Sequence, residues 1–260
     1  MLVELSDDKQ YPVSYITLNR SSKLNALSNE MVVELQNKIK EVEKKSINEC
    51  RLVIISSKIE KAFSVGADIN DWANYNPVES YKASRYGAAV FNSLATLRVP
   101  VINILDGWVL GGGLELALSC DIRLSTNNTK IGFPETKIGN APGWSGLTKL
   151  VPLVGPSKAK EILFTGDDIT AQEAQKLGLL NFVGSQSEVN EKKESIVKSI
   201  CSNAPIPIET TKKIIDEMSQ RHELFSFIES LVSAYTAGTE DNQEGKQSFF
   251  NKEIAHFKGK

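Results

Sequence analysis

The stretch that decides the architecture is Gly107–Asp121, GWVLGGGLELALSCD, in which three consecutive glycines lead into an apolar helical run. Glycines at such a junction let another molecule approach the backbone closely and leave the first N–H groups of the helix unpaired. The helix dipole then favours negative charge at that point. A tight strand-to-helix turn is the plainer reading of the glycines alone. Two phosphate-binding patterns fail here. A P-loop needs Gly-Lys-Ser/Thr where Leu114 and Glu115 stand, and a GxGxxG fingerprint starting at Gly111 meets Leu116 in its last position. Glu115 is the anomaly of the run, flanked by Leu114, Leu116, Ala117 and Leu118. It occupies either the one exposed stripe of the helix or a buried position, where a carboxylate is costly unless paired or functional.

Three further segments stand out. Ile131–Gly146, IGFPETKIGNAPGWSG, is a Gly/Pro-rich loop that could aim Glu135, which otherwise reads as a solvated loop acid. Ala62–Ile69 reads AFSVGADI, and Asn19–Leu27 reads NRSSKLNAL. Around them, short β-rich runs at Ser14–Leu18, Leu52–Ile55, Val99–Leu105 and Ile122–Ser125 alternate with helical patterns. Ser28 is suited to cap a helix carrying Met31, Leu35, Ile39 and Val42 on one stripe. Glu34 and Glu41 precede Lys38 and Lys45 by four residues, a spacing that supports that helix. Pro77 can open a second helix with Val90, Phe91, Leu94 and Leu97 on its buried face. Lys158–Phe164 and Ala171–Leu177 read as helices split by a turn at Gly166–Asp168. From Val189 onward the chain is helical and charged, broken at Ala204–Pro207. Strands alternating with helices argue for an α/β fold, divided into a core over 1–195 and a C-terminal helical region over 196–260.

Composition prunes the function classes. The 260 residues are 41% hydrophobic and 24% charged, ordinary for a soluble domain. Thirty basic residues face thirty-two acidic ones, for a net charge of −2. Without a basic block, neither nucleic acid nor an anionic membrane is an expected partner. Cys50, Cys120 and Cys201 are far apart and form no CxxC pair, which points away from disulfides and thiolate zinc and toward a reducing compartment. Only His222 and His256 could serve a metal site or a Ser–His–Asp triad, and both read as exposed helical residues. The N-terminus has acids where a secretory signal needs basic residues, and no run reaches the ~20 apolar residues of a membrane span. A cytoplasmic protein is expected.

The four segments together resemble the enoyl-CoA hydratase/isomerase (crotonase) family. Its pattern runs NRP…NAL, then F-x-x-G-A-D-[IL], then G-x-x-x-G-G-G-x-E-L, then P-E…G…P-G…G. All four match in order, and the tail Glu244–Lys258 is similar to the family's C-terminal helix. The resemblance implies a ClpP/crotonase-like right-handed spiral of ββα units with a C-terminal helical trimerisation region. It also implies an acyl-CoA thioester as substrate, no separate cofactor or metal, and a trimer or a dimer of trimers. The implied chemistry is reversible syn hydration of a 2-enoyl-CoA by Glu135, as the main proton-transfer group, and Glu115, which holds the water. The backbone N–H groups of Ala67 and Gly112 would form an oxyanion hole. Leu24, Val65, Ala67, Asp68 and Ile69 would line the pantetheine and adenine path. Gly111, Pro134, Gly143 and Trp144 belong to the matching site segments, and Phe249 and Lys252 match tail positions that touch the CoA nucleotide. Trp144 and Phe133 would shape the acyl pocket or else serve as core aromatics. Ser21, Asn103, Asp106, Phe133 and Leu147 depart from the family pattern. The other readings are a double-bond isomerase, a decarboxylase, a dehydratase of a specialised CoA or acyl-carrier substrate, and a silent acyl-CoA-binding paralogue. Two glutamates at matching positions favour hydration, since isomerases often manage with one.

Overall fold

The computed structural model describes residues 1–219 and 222–256, with the side chains of 218–225 excluded. Two sheets are interleaved. The larger contains β1 (Val3–Asp7), β2 (Val13–Leu18), β3 (Leu52–Ser57), β5 (Val101–Leu105), β7 (Ile122–Thr126) and β10 (Phe182–Gly184), hydrogen-bonded in that order. The smaller contains β4 (Ala62–Ser64), β6 (Trp108–Leu110), β8 (Lys130–Gly132) and β9 (Ile169–Thr170). The helices are α1 (Asn29–Glu43), α2 (Ile69–Trp72), α3 (Pro77–Ala95), α4 (Gly112–Leu118), α5 (Gly146–Thr165), α6 (Ala171–Lys176), α7 (Gln186–Ser202), α8 (Pro205–Ser219), α9 (His222–Ala237) and α10 (Glu240–Asn251).

The interleaving is the expected spiral of ββα units. Each turn places one strand in the large sheet, a three-residue strand in the small one, and then a helix: β3–β4–α2, β5–β6–α4, and β7–β8 followed by a 3₁₀ turn at Pro134–Ile138. Because β3, β5 and β7 pair in parallel, and β4, β6 and β8 do likewise, equivalent residues of successive turns stack at one end of the molecule. Ala67, Gly112 and Glu135 each lie two or three residues beyond the end of β4, β6 or β8. Parallel sheets covered on both faces need wholly apolar strands, and Leu52–Ile55 is fully buried.

Ser28 caps α1 through Met31 N–H, and Met31, Leu35, Ile39 and Val42 are its buried stripe. Pro77 opens α3 behind an Asn76–Glu79 capping box. The anticipated Glu34–Lys38 and Glu41–Lys45 pairs do not form. Glu34 instead accepts the Leu2 and Val3 N–H groups at 2.7 and 2.9 Å, Lys38 reaches Glu41, and Lys45 crosses to Asp7. Buried strand ends outcompete i,i+4 pairs, which are worth only a few tenths of a kcal/mol. The tail helix stops at Asn251, short of the expected Lys258. His256 follows it as an exposed non-helical residue, while Phe257 and Lys258 lie outside the described residues, as does the His222 side chain. The division at 195/196 runs through α7, which packs on β7, β10 and β3, so the sheet body extends to Ser202. No helix among the described residues is long and apolar enough to cross a membrane.

Candidate active site

Two backbone amides come first. Leu27 and Ala67 form a parallel bridge in which Leu27 N–H bonds Gly66 O and Asp68 N–H bonds Leu27 O. That pattern turns the N–H of Ala67 to the opposite side. Gly112 is the first residue of α4, where an N–H has no partner within the helix. Among the described residues neither N–H is paired with an acceptor. The two are neighbours: a Cβ on Gly112 would stand 3.5 Å from Ala67 N. Gly66, at φ +94°, allows this approach, since a Cβ there would press Leu110 O at 3.0 Å and Gly112 N at 3.3 Å.

The loops carrying these amides are tied down by polar side chains. Leu24 and Asn25 both adopt left-handed backbone, and buried Asn25 holds that turn by accepting Arg20 N–H and donating to Ser57 Oγ and Phe63 O. Leu24 O accepts Val65 N–H, which joins the two segments, and the Leu24 side chain stays partly exposed. Asp68 caps α2 and pairs with Arg20 at 2.7 Å. Burial acts to raise the Asp68 pKa, and the hydrogen bonds from Asn70 and Arg20 outweigh it and hold the carboxylate below its ordinary value. Ile69 follows as the half-buried first residue of α2.

Glu115 is buried, at 3% exposure, so the exposed-stripe alternative falls. Its Oε1 accepts the N–H groups of Trp144 and Gly146, both at 2.8 Å. Burial raises its pKa well above the ordinary value, the charges of Glu135 and Glu229 raise it further, and the two N–H donors oppose the rise. Pro134 opens the 3₁₀ turn that presents Glu135. Burial pushes the Glu135 carboxyl up to about 7, and its Oε2 is enclosed without a hydrogen-bond partner. Gly111 brings this acid to the glycine run: a Cβ on it would lie 2.6 Å from Glu135 Oε1, and its φ of +47° also calls for glycine. Gly146 does the same for Glu115, whose Cγ would be 2.6 Å from an added Cβ. The structure thus brings Ala67, Gly111, Gly112, Glu115 and Glu135 together.

Trp144 closes one side. It is 4% exposed, its ring would stand 3.0 Å from a Cβ on Gly112, and it packs on Phe91 and Trp72 at centroid distances of 5.2 and 5.6 Å. Gly143 is buried where a Cβ would strike Ser84 Oγ. Phe133 is a core residue with no exposed surface. Phe249 is 54% exposed against Phe250, and Lys252 caps the end of α10; no hydrogen bond or ion pair joins either to the carboxyl pair. Sequence reading missed Trp72, whose ring touches Trp144, together with Lys149 and Glu229. These last two sit in ordinary-looking helices, and the available signal was the small polar spacing Ser226, Glu229, Ser230, Ser233.

Similarity to known proteins agrees with this geometry. The sequence model of the family described as enoyl-CoA hydratase/isomerase matches residues 8–260. A short-chain-enoyl-CoA hydratase of Clostridium acetobutylicum is 36% identical over 255 residues, covering 97% of each chain. A crotonyl-CoA hydratase of Syntrophomonas wolfei is 32% identical, covering 96% of each. Among solved structures, an enoyl-CoA hydratase from Bacillus anthracis superposes with a TM-score of 0.79 at 33% identity, covering all of both chains. With the motifs, the spiral and near-complete coverage in agreement, this chain belongs to the enoyl-CoA hydratase/isomerase family.

Proposed function

We propose that this enzyme is a hydro-lyase that reversibly adds water to a 2-enoyl-CoA thioester, giving the 3-hydroxyacyl-CoA. The observation that carries the reading is the pair of enclosed carboxyls, one with an unpartnered oxygen, beside two unspent backbone N–H groups. The thioester oxygen accepts from Ala67 and Gly112. Water lies between Glu115 and Glu135. Glu135, whose carboxyl burial pushes up to about 7, takes a proton in its ionised form as the water oxygen bonds C3. The π electrons shift toward the thioester oxygen, and the amides stabilise the enolate-like state; losing one such donor typically costs about 2.7–4 kcal/mol. The proton on Glu135 then passes to C2. Both additions come from one side of the double bond, hence the syn outcome. Positioned acid–base catalysis of this kind supplies ~10²–10⁴-fold. One C–O and one C–H bond form as one π bond and one O–H bond break, with no net oxidation or reduction, so the step calls for no redox group.

A homo-oligomer, trimer or dimer of trimers, belongs to the same proposal. Phe227, Ile228, Leu231, Val232 and Tyr235 of α9 are apolar and exposed, a surface suited to a second copy. So does a reducing cytoplasmic setting, for which the three free cysteines are the support. The names of the relatives favour a short acyl chain. Loss of the conjugated absorbance of crotonyl-CoA, with 3-hydroxybutyryl-CoA as product, is the expected result. A panel of 2-enoyl thioesters that remains unhydrated, while a 3-enoyl-CoA is converted to its 2-isomer, overturns hydration in favour of isomerisation.

A further inference from the structure

A second carboxylate grips the helix that aims Glu115. The chain enters α5 through Trp144-Ser145-Gly146-Leu147-Thr148, and Ser145, the residue before its first turn, has left-handed backbone and no capping hydrogen bond from its side chain. A helix start of this kind normally satisfies its free N–H groups with its own N-cap oxygen. Here the acceptors come from elsewhere. Glu115 takes Trp144 and Gly146, and Glu229 of α9 accepts Thr148 N–H at 2.8 Å. One turn earlier on the same face of α9, the Ser226 hydroxyl meets the Ser145 hydroxyl at 2.6 Å. Glu229 is 4% exposed, and its Oε2 is enclosed without a partner.

The charges around Glu229 make the arrangement more than a cap. α5 presents Lys149, α4 presents Glu115, and Glu135 lies behind Glu115. α3 presents Tyr81 and Arg85, but to the ring of Phe227 on another side of α9. Lys149 is partly buried, and its ammonium contacts the neutral oxygens Asn92 Oδ1 and Ser119 Oγ; that same Ser119 hydroxyl donates to the backbone carbonyl of Glu115. Glu115 and Glu229 therefore both lie within reach of the Lys149 charge. Burial pushes Glu229 itself up to about 7.

We propose that Glu229 is a positioning residue for the hydration step: from the C-terminal helical region it clamps the start of α5, and so fixes the two amides that hold Glu115 over the reacting water. This rests on the hydratase reading above. It ties the catalytic pair to α9, whose outer face carries the apolar residues of the proposed oligomer contact.

The test compares Glu229→Gln and Glu229→Ala. Gln keeps an acceptor for Thr148 N–H and removes the charge, whereas Ala removes both. Glu229→Ala is expected to lower kcat about ten-fold or more at nearly unchanged KM for crotonyl-CoA, with Glu229→Gln restoring most of it. In Glu229→Gln the acid limb of the pH–rate profile and the Glu115 titration should move to lower pH by at least about half a unit, because a like charge has been removed. That titration is read by NMR of carboxyl-labelled glutamate and assigned with Glu115→Gln. If Glu229→Ala melts earlier but keeps wild-type kcat and pH profile, Glu229 is only structural and the proposal is overturned. Should Glu229→Ala fail to fold, an unmoved Glu115 titration in Glu229→Gln overturns it equally. Absence of hydration by the wild type would sink the hydratase reading alone, since the NMR titration needs no turnover.

Discussion

Glu135→Gln should cost activity and gain stability in the same molecule, with the gain appearing only as the pH rises. The carboxyl titrates near 4.5 in an unfolded chain and at about 7 in this fold. A raised acid pKa means that the folded state holds the proton longer. Its cost to stability is therefore absent below pH 4.5, grows between 4.5 and 7, and is complete above 7. At 1.36 kcal/mol per pH unit the complete cost is roughly 3 kcal/mol. Gln never ionises and escapes it, but its amide puts a donor where Oε2 is enclosed without a partner, at a cost of about 1–3 kcal/mol. The net expectation is a variant less stable than wild type by up to about 2 kcal/mol at pH 5 and more stable by up to about 2 kcal/mol at pH 8. Turnover of crotonyl-CoA should fall by ~10²–10⁴-fold with KM nearly constant, because the amides of Ala67 and Gly112 are untouched. Urea unfolding at the two pH values, beside initial rates, provides both readouts. A stability difference that stays flat between pH 5 and pH 8 would refute the buried-acid argument, and wild-type turnover would refute the assignment of proton transfer to Glu135.

Other substitutions probe the remaining parts. Gly146→Ala drives a methyl to 2.6 Å from Glu115 Cγ, so the acid must move; kcat should fall at least about ten-fold and stability by about 1–3 kcal/mol, measured by kinetics and melting. Trp144→Ala removes a ring packed on Phe91 and Trp72, which should cost about 3–5 kcal/mol and shift the ratio of kcat/KM values toward longer 2-enoyl-CoA chains. An unchanged chain-length preference would remove Trp144 from the acyl pocket. Asp68→Asn weakens the Arg20 pair and should cost about 1–2 kcal/mol at neutral pH. As the Asp68 pKa is depressed in the fold, its contribution is present above the ordinary value of 3.8 and fades as the pH falls below it, so the difference from wild type should close in acid unfolding curves.

The large sheet was readable because β3 opens with a wholly apolar run and β5 is apolar but for Asn103; these and β7 coincide with β-rich runs visible in the sequence. The small sheet was not. Its strands Ala62–Ser64, Trp108–Leu110 and Lys130–Gly132 are three residues each, too short for alternation to register, and they are held by pairing with equivalent strands of neighbouring turns. α5 was half seen, from Lys158 onward, because Pro152, Gly155 and Pro156 break its pattern; the backbone does leave helical geometry at Gly155. The candidate site was largely legible through its oddities, an acid among leucines and glycines in a row. Trp72 and Glu229 were not, since each looks ordinary until another element arrives beside it. Nothing local to α9 tells that Glu229 faces the start of a helix some eighty residues earlier in the chain.

What the glycines accomplish explains why this chemistry can be built with scarcely any histidine. Glu135 packs against Gly111 and Glu115 against Gly146 at distances where a side chain on the glycine would force the acid to move, and Trp144 packs tightly on Gly112. The acids are thus located by main chain and by N–H donors, groups whose charge does not change with pH. A histidine or lysine holding Glu135 would fix it equally well, but would occupy the free oxygen and pull its pKa down, away from the range where a carboxyl both takes and returns a proton near neutrality. Enclosure by backbone does the reverse: it leaves Oε2 unpartnered and lifts the carboxyl to about 7. In the proposed reaction the same logic places stabilisation of negative charge on amides at two equivalent strand ends, so that the spiral repeat itself, more than any single side chain, would align the acceptor of the electron pair with the donor of the proton.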